Sequence, residues 1–372
     1  MRSFALWYNP RKKEETKIIG VKNKDEIETE SKVCLDIHVN LWRNKKKDTF
    51  IFDFGLMVSE IQEVEEICIY IPFEIEKIED LGRKMKANNS LINAIFNEEC
   101  EIDSSHPNRV KVKRRNSEEC FMVYSIHDSE YEIQKIENTK NTKGTILKLN
   151  VGKILSKVEE NLDSTKKYYF RIRFEQNSGN INMIKNQTSE QNIYSNFFKK
   201  IEMIDFRIND ERTWSETIKQ EYYRSKNFVI KSIHYLLLRN ANDEFIYYDG
   251  KIKSRLLEVE IWKDYIEFID TDTITYHIKK IANDNQELGI ENFICLTRFK
   301  FTSESVSLLI YYLIFVLFLA IIANSIFGFF NTFLSELKII KDNNISPEII
   351  ILTIGFIICI SVYFLIKKWK SE

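Results

Sequence analysis

Two uncharged hydrophobic segments, Val306–Gly328 and Ile349–Ile366, constrain this 372-residue chain more than anything else in it. The first holds fifteen Leu, Ile, Phe or Val in 23 positions, the second thirteen in 18. At roughly 0.3–0.6 kcal/mol favourable per such residue, the first alone gains about 5–9 kcal/mol on entering a bilayer. Each approaches the roughly 20 residues a helix needs to cross a hydrocarbon core. Two buried core helices are the competing reading, and the length of both segments and their lack of charge argue against it. The sequence therefore predicts a transmembrane hairpin within 303–372, with helices at about 306–328 and 347–366.

The flanks agree with that expectation. Ser346-Pro347-Glu348 suits a helix start: Ser caps free N–H groups, Pro is tolerated at the first position, and Glu meets the positive end of the dipole. Lys367, Lys368, Trp369 and Lys370 are residue types that anchor a helix at the headgroups. With Arg298 and Lys300 before the first span, cations favour both outer flanks over the connecting loop. The positive-inside bias then places the N-terminal region and the tail in the cytoplasm, anchored in the inner membrane. Ala320, Asn324 and Gly328 share one helix face, as do Gly355 and Cys359, and small residues at that spacing let helices approach closely. Packing within the hairpin and self-association into a homo-oligomer both use such faces. Asn324, Ser325, Thr353 and Ser361 are too few polar groups for a dedicated channel, and the spans contain no ionisable side chain of the kind that marks an ion path.

The rest of the chain, about 300 residues, is long enough for one large or two ordinary domains. Over the whole chain 54 Lys and Arg nearly balance 55 Asp and Glu, so no bulk basic field argues for a nucleic-acid partner. The apolar stretch Phe4–Tyr8 is too short for a secretory signal and is followed by Arg11-Lys12-Lys13. The six cysteines are irregularly spaced and read as free thiols of a reducing compartment. The richness in Lys, Ile, Asn and Glu is that of an AT-rich bacterial genome. No GxxxxGK[ST], GxGxxG, CxxC, HExxH or GxSxG pattern occurs, so no cofactor or metal is expected, and common nucleotide hydrolases, metalloproteases and lipases are disfavoured.

Strand-period alternation dominates this region. It is cleanest at Val33, Leu35, Ile37, Val39 and Leu41, and recurs at Ile67–Phe73, Phe170–Phe174 and Ile204–Ile208. Cys120–Ile126, Tyr131–Glu137 and Thr145–Val151 read as further strands, Leu256–Tyr265 leans to strand, and Asp249-Gly250 signals a hairpin between 244–248 and 251–255. Helical stripes appear at Ile75–Met85, Leu91–Phe96 and Val151–Leu162, and Thr213–Glu216 offers a capping box. The polar segment 177–192 reads as a linker or long loop between a domain at 1–176 and a second β-rich module at 193–302. The expected class is α+β and β-rich, with antiparallel, sandwich-like packing ahead of the hairpin.

Two candidate sites emerge. Cys34, Asp36 and His38 project from one side of a strand and carry the groups of a Cys–His mechanism, although neighbours two apart lie roughly 6.5–7 Å from each other. Any solvent face of an amphipathic strand gives the same pattern. Arg109, Lys111, Lys113, Arg114 and Arg115 form a basic row suited to an anionic small ligand, which Lys45–Lys47 and Arg11–Lys13 could extend toward anionic lipids. Glu98, Glu99, Glu101, Asp103, Glu118 and Glu119 flank that row, and a solvated edge strand explains it equally well. His106, His127, His234 and His277 stand alone and read as surface or core imidazoles. The leading expectation is a membrane-anchored cytoplasmic binding or sensor protein, non-enzymatic, whose partners are the lipid bilayer, other copies of itself, and a protein or anionic small ligand. The alternatives are a stress or antiviral effector whose helices permeabilise the membrane, and a tethered enzyme with an irregular site.

Overall fold

A computed structural model describes residues 3–12, 32–103, 108–115, 117, 119–138, 142–156, 166–188, 199–248, 250–269, 272–283, 289–302, 306–336 and 353. The strands begin with β1 (Ala5–Pro10), β2 (Cys34–Asn44), β3 (Thr49–Ser59), β4 (Val64–Ile71), β5 (Glu79–Asp80) and β6 (Cys100–Asp103). They continue as β7 (Arg109–Arg114), β8 (Cys120–Tyr124), β9 (Tyr131–Asn138), β10 (Thr142–Asn150), β11 (Lys167–Asn177) and β12 (Ile184–Thr188). The remainder are β13 (Lys199–Ile208), β14 (Val229–Asn240), β15 (Glu244–Tyr248), β16 (Lys253–Leu256), β17 (Thr273–Ile281) and β18 (Phe293–Thr302). The helices are α1 (Gly82–Ala87), α2 (Asn89–Phe96), α3 (Val151–Ser156), α4 (Glu216–Arg224), α5 (Val259–Trp262) and α6 (Val306–Glu336).

Alternating apolar residues dictate strands, and the strands assemble into three sheets. Among the described residues a ten-stranded sheet runs β16-β17-β14-β2-β3-β11-β8-β7-β6, with β5 beside β11. Two four-stranded sheets follow the orders β1-β4-β10-β9 and β12-β13-β18-β15. The pairings are antiparallel except β2 with β14 and β8 with β11. Leu35, Ile37, Val39 and Leu41 are buried in a core shared by strands of all three sheets. Phe4 sits at its centre, its ring 5.0–6.5 Å from those of Phe52, Phe54, Phe73, Phe174 and Phe206.

The large sheet is buried on its second face as well, which is why β3 is buried along nearly its whole length. Phe50, Phe52, Phe54, Leu56 and Val58 face the shared core. Ile51 and Met57 face the other way, into a smaller core closed by Leu81 and Met85 of the α1 region, Leu91 and Ile92 of α2, and Trp262, Tyr265 and Ile266. Asp53 falls on this second face and is fully buried. Its carboxylate accepts hydrogen bonds from Trp42 Nε1 at 2.7 Å, Tyr265 Oη at 2.8 Å and Arg173 Nε at 2.6 Å. Burial alone would push this carboxyl up, but Arg173, and behind it Arg171, hold it below the usual carboxylate range.

The C-terminal segment forms a second unit. Its described residues are those of α6 and Thr353, and within α6 Leu309–Phe333 forms a 25-residue apolar stretch of mean hydropathy 2.6. Length and composition suffice for it to span a membrane. Two hydroxyls along it are satisfied within the helix: Ser325 Oγ donates to the Ile321 carbonyl and Thr332 Oγ1 to that of Gly328. The second expected span, apart from Thr353, lies outside the described residues, as do Gly355, Cys359, Lys367, Lys368, Trp369 and Lys370.

Several local expectations are corrected. The segment 177–192 does not divide two modules: β2 and β14 from either side of it pair directly, and Ile184–Thr188 is itself β12. As an edge strand with exposed Lys185 and Asn186, β12 lacks the alternation that marks central strands. Asp249-Gly250 does not join a hairpin, because β15 pairs with β18 and β16 with β17, in different sheets. Leu256–Tyr265 becomes a helical turn, α5, which turns Trp262 and Tyr265 onto the sheet. The helix expected from Ile75 is confined to Gly82–Ala87, with Ile75 and Ile78 buried in irregular chain ahead of it. The Ser215 side chain makes no cap at the start of α4, and the Thr213 hydroxyl bonds the Asp210 carbonyl instead. Asp53→Asn removes the counter-charge of a buried pair and should destabilise the body by about 3–5 kcal/mol, read as a lowered denaturant midpoint of the detergent-solubilised chain.

Candidate functional site

On the second face of the large sheet, three imidazoles from three adjacent strands stand side by side. His38 on β2 is registered against His234 on β14, with ring centroids 4.9 Å apart and planes at 71°. His277 of β17 stacks on His234 at 5.3 Å and 27°. All three are partly exposed, unlike the apolar positions beside them. Phe96, at the end of α2, contacts both His38 and Tyr169. The Arg255 side chain of β16 donates to Asn97 Oδ1 at 2.7 Å, tying the α2 terminus to the sheet edge.

A chain of hydrogen bonds runs from this row to Asp53. His38 Nδ1 lies 3.4 Å from Tyr169 Oη, long for a hydrogen bond. Tyr169 Oη accepts from Arg171 Nη1 at 2.8 Å, which leaves its own proton free for His38 Nδ1. Arg171 Nε donates to Tyr265 Oη at 2.7 Å, and Tyr265 Oη donates onward to Asp53. Tyr169 is on β11 and His38 on β2, so the hydroxyl must cross β3 between them. Gly55 makes the crossing possible: a Cβ there would lie 2.0 Å from Tyr169 Oη and 3.0 Å from Arg171 Nη1. Arg171 is 0% exposed, its side chain donates to the two neutral hydroxyls of Tyr265 and Tyr169, and its Nη2 has no hydrogen-bond partner.

The surroundings favour neutral imidazoles. Desolvation lowers His38 well below its usual range, helped by His234, Arg171 and Arg114. Desolvation, then Lys279 and His277, bring His234 down to about 4. His277 is lowered by desolvation, then by Lys279, Arg255 and Lys253. Burial pushes the Cys34 thiol up, and its Sγ lies 3.6 Å from the Lys32 carbonyl. A thiol held in this way is a poor nucleophile. Asp36 accepts from Ser232 Oγ of β14 at 2.6 Å. Cys34, Asp36 and His38 thus share a side of β2, but only His38 enters the row.

The basic row divides. Cross-strand register sets Lys111 opposite Asp103 and Lys113 opposite Glu101, while Val110 and Val112 are buried on the other side. Arg114 pairs with Glu98 at 3.2 Å, reaches Glu119 at 3.7 Å and lies over the Phe121 ring, on the face of the histidines. Arg115 pairs with Glu99, and Arg109 engages Tyr124. Ala320, Asn324 and Gly328 lie on one face of α6. His234 and His277, read from the sequence as isolated imidazoles, in fact stand beside His38 because β14 and β17 pair next to β2. Tyr169 and Arg171 were not singled out as site residues, although Arg171 and Arg173 alternating through a run of buried aromatics was a usable signal.

A second buried ionic cluster joins Glu202, Asp243, Arg43 and Arg239. Arg43 Nε lies 3.1 Å from Glu202, Arg239 Nε 2.9 Å from Asp243, and Arg239 also bonds Glu202 and covers Phe299. Asp48 also pairs with Arg43 and Lys45 with Asp243, so although Arg239 Nη2 lacks a hydrogen-bond partner each charge there meets an opposite one, the mark of a structural network.

No family model matches the chain, nor does any curated protein. Among solved structures it aligns with yeast leukotriene A4 hydrolase bound to bestatin at 9% identity and TM-score 0.30, over 72% of this chain and 28% of that one. The native yeast enzyme gives 9% and 0.31, over 73% of this chain and 29% of that one. A further native structure from Saccharomyces cerevisiae gives 7% and 0.31, over 72% and 29%. The chain therefore spans less than a third of the length of those proteins, at a likeness too distant to assign a fold or an activity.

Two outcomes follow from this geometry. Gly55→Ala should expel the Tyr169 hydroxyl from its place over β3, costing about 1–3 kcal/mol, measurable by thermal denaturation. The folded pKa of His234, about 4, lies below its ordinary 6.5, so the unfolded chain binds more protons between those values. Stability is then complete above pH 6.5 and falls as pH drops toward 4, by on the order of 3 kcal/mol for this group. Melting curves from pH 7 to 4 should show that slope, and His234→Gln should flatten it.

Proposed function

We propose that the chain is a membrane-anchored binding or sensor protein whose β-rich body takes a ligand at the His38–His234–His277 face. The observation that carries this reading is the row of three partly exposed imidazoles standing beside a buried, tyrosine-held Arg171. Sheet interiors rarely keep such groups for packing alone, and perturbed imidazoles clustered on one face point to a site. Binding is favoured over nucleophilic chemistry because the Cys34 thiol is raised and hydrogen-bonded away from the imidazoles. The anchor is α6 together with a second span at Ile349–Ile366, which places the body and the basic tail in the cytoplasm.

The anchoring half is tested by topology. A reporter active only outside the membrane should be active when inserted near residue 342 and silent at residue 372, and activity at 372 would reverse or break the hairpin. The binding half is tested by thermal shift of the detergent-solubilised full chain against anionic, cationic and neutral small molecules. At least one should raise the melting temperature of the wild type by several degrees and leave a His38→Gln/His234→Gln variant unmoved; a panel with no such compound would reject the assignment of this face.

A further inference from the structure

The fixed charges acting on the histidine row are cations. Lys279 is registered across from His234 and Lys253 across from His277, Arg171 reaches His38 through the Tyr169 hydroxyl, and with Arg255 and Arg114 these cations bear on the three imidazoles. Of these, Arg114 is partly offset by Glu98 and Glu119. The β2 carboxylate on this side, Asp36, is engaged by Ser232, and Asp53 by Arg173, Trp42 and Tyr265. Tyr169 contributes a hydroxyl and Phe96 an aromatic edge. Arg171 is the unusual member: a wholly buried cation whose hydrogen bonds go to hydroxyls, with one nitrogen left unpartnered. Its nearby counter-charge, Asp53, is bonded to Arg173 and shared with it. A buried cation with only part of a counter-charge is expensive, and an anion held close by would relieve that cost. Neutral imidazoles add N–H donors as they stand, and each becomes a charged double donor on taking up a proton.

We infer that the His38–His234–His277 face binds a tetrahedral oxyanion, as inorganic phosphate, sulfate or the phosphate group of a larger ligand, and that binding draws protons onto the imidazoles. This rests on the ligand-binding reading above and adds its chemistry. The protons come from the buffer and end on imidazole nitrogens, and no bond of the anion is broken. An anion favours the charged form of each imidazole, so affinity rises as pH falls, by up to about tenfold per pH unit for each proton fully taken up. The basic row of β7 enters this site through Arg114 alone, since Lys111 and Lys113 face Asp103 and Glu101 across β6.

The test is calorimetric titration of the full chain in neutral detergent with sulfate, whose charge is constant from pH 5 to 8, and in parallel with phosphate. Saturable sulfate binding about tenfold tighter at pH 5.5 than at 7.5, with proton uptake read from buffers of different ionisation heat, is the expected result. Lys279→Gln, an exposed position that leaves the core intact, should weaken binding severalfold, and His38→Gln/His234→Gln should remove the pH dependence. Nanodiscs with and without phosphatidic acid separate the sources: competition by that lipid against sulfate assigns the site to a headgroup, and its absence assigns it to a soluble phosphate. Sulfate and phosphate failing to bind at any pH, or binding equally well in both variants, would overturn the inference. If a neutral or cationic compound then shifts the wild type alone, the ligand-binding reading survives without it; if none does, both fall.

Discussion

A single carboxylate at the middle of β3 organises one whole side of the body. Asp53 is buried on a strand flanked by apolar neighbours, so it stays in place only because other elements bring donors to it. Trp42 comes from β2, Arg173 from β11 and Tyr265 from the segment after α5. Arg173 also donates to the Tyr265 carbonyl at 2.8 Å, which pins the helical layer to the sheet. Tyr265 in turn orients Arg171, Arg171 orients Tyr169, and Tyr169 faces His38 across Gly55. The aim of the partly exposed imidazole is thus inherited, bond by bond, from a group that never meets solvent.

The contrast with the Glu202–Arg239 cluster explains why one buried network reads as functional and the other as scaffold. Around Glu202 and Asp243, acids and bases match, and Arg239 lies flat on Phe299 at 4.5 Å. Around Asp53 two guanidiniums share one fully buried carboxylate, with Glu79 reaching Arg173 from its exposed side. The excess positive charge falls on Arg171, the member nearest the histidines. Such an imbalance costs stability, and proteins tolerate that where a site needs the field.

The alternation in β2 was legible in the sequence because one face of that strand is apolar and the other polar, and the structure keeps it so. The apolar run of α6 was legible because it is long and unbroken by charge. The edge strand β12 was not, since an edge has only half its neighbours and tolerates polar side chains on both sides. The histidine row was illegible for a different reason. His38 lies 196 residues from His234 in sequence, and nothing local announces that β2 and β14 will lie side by side in parallel. Arg171 and Asp53 could have been noticed as charges inside aromatic runs, although their partners could not.

The parallel union of β2 with β14 also fixes when this protein can exist during its synthesis. Contacts such as Ser232 to Asp36, 196 positions apart, and Asp210 to Ser3, 207 apart, cannot form until most of the body has left the ribosome. Among the described residues β18, which supplies Phe293 and Phe299 to the shared core, is the last strand in sequence, and α6 begins at Val306 soon after it. Early strands must therefore wait with apolar faces and open edges, the state most exposed to aggregation and to chaperones. The shared core therefore closes only as the chain reaches α6, so a delay late in synthesis leaves an unfinished sheet with its apolar faces open.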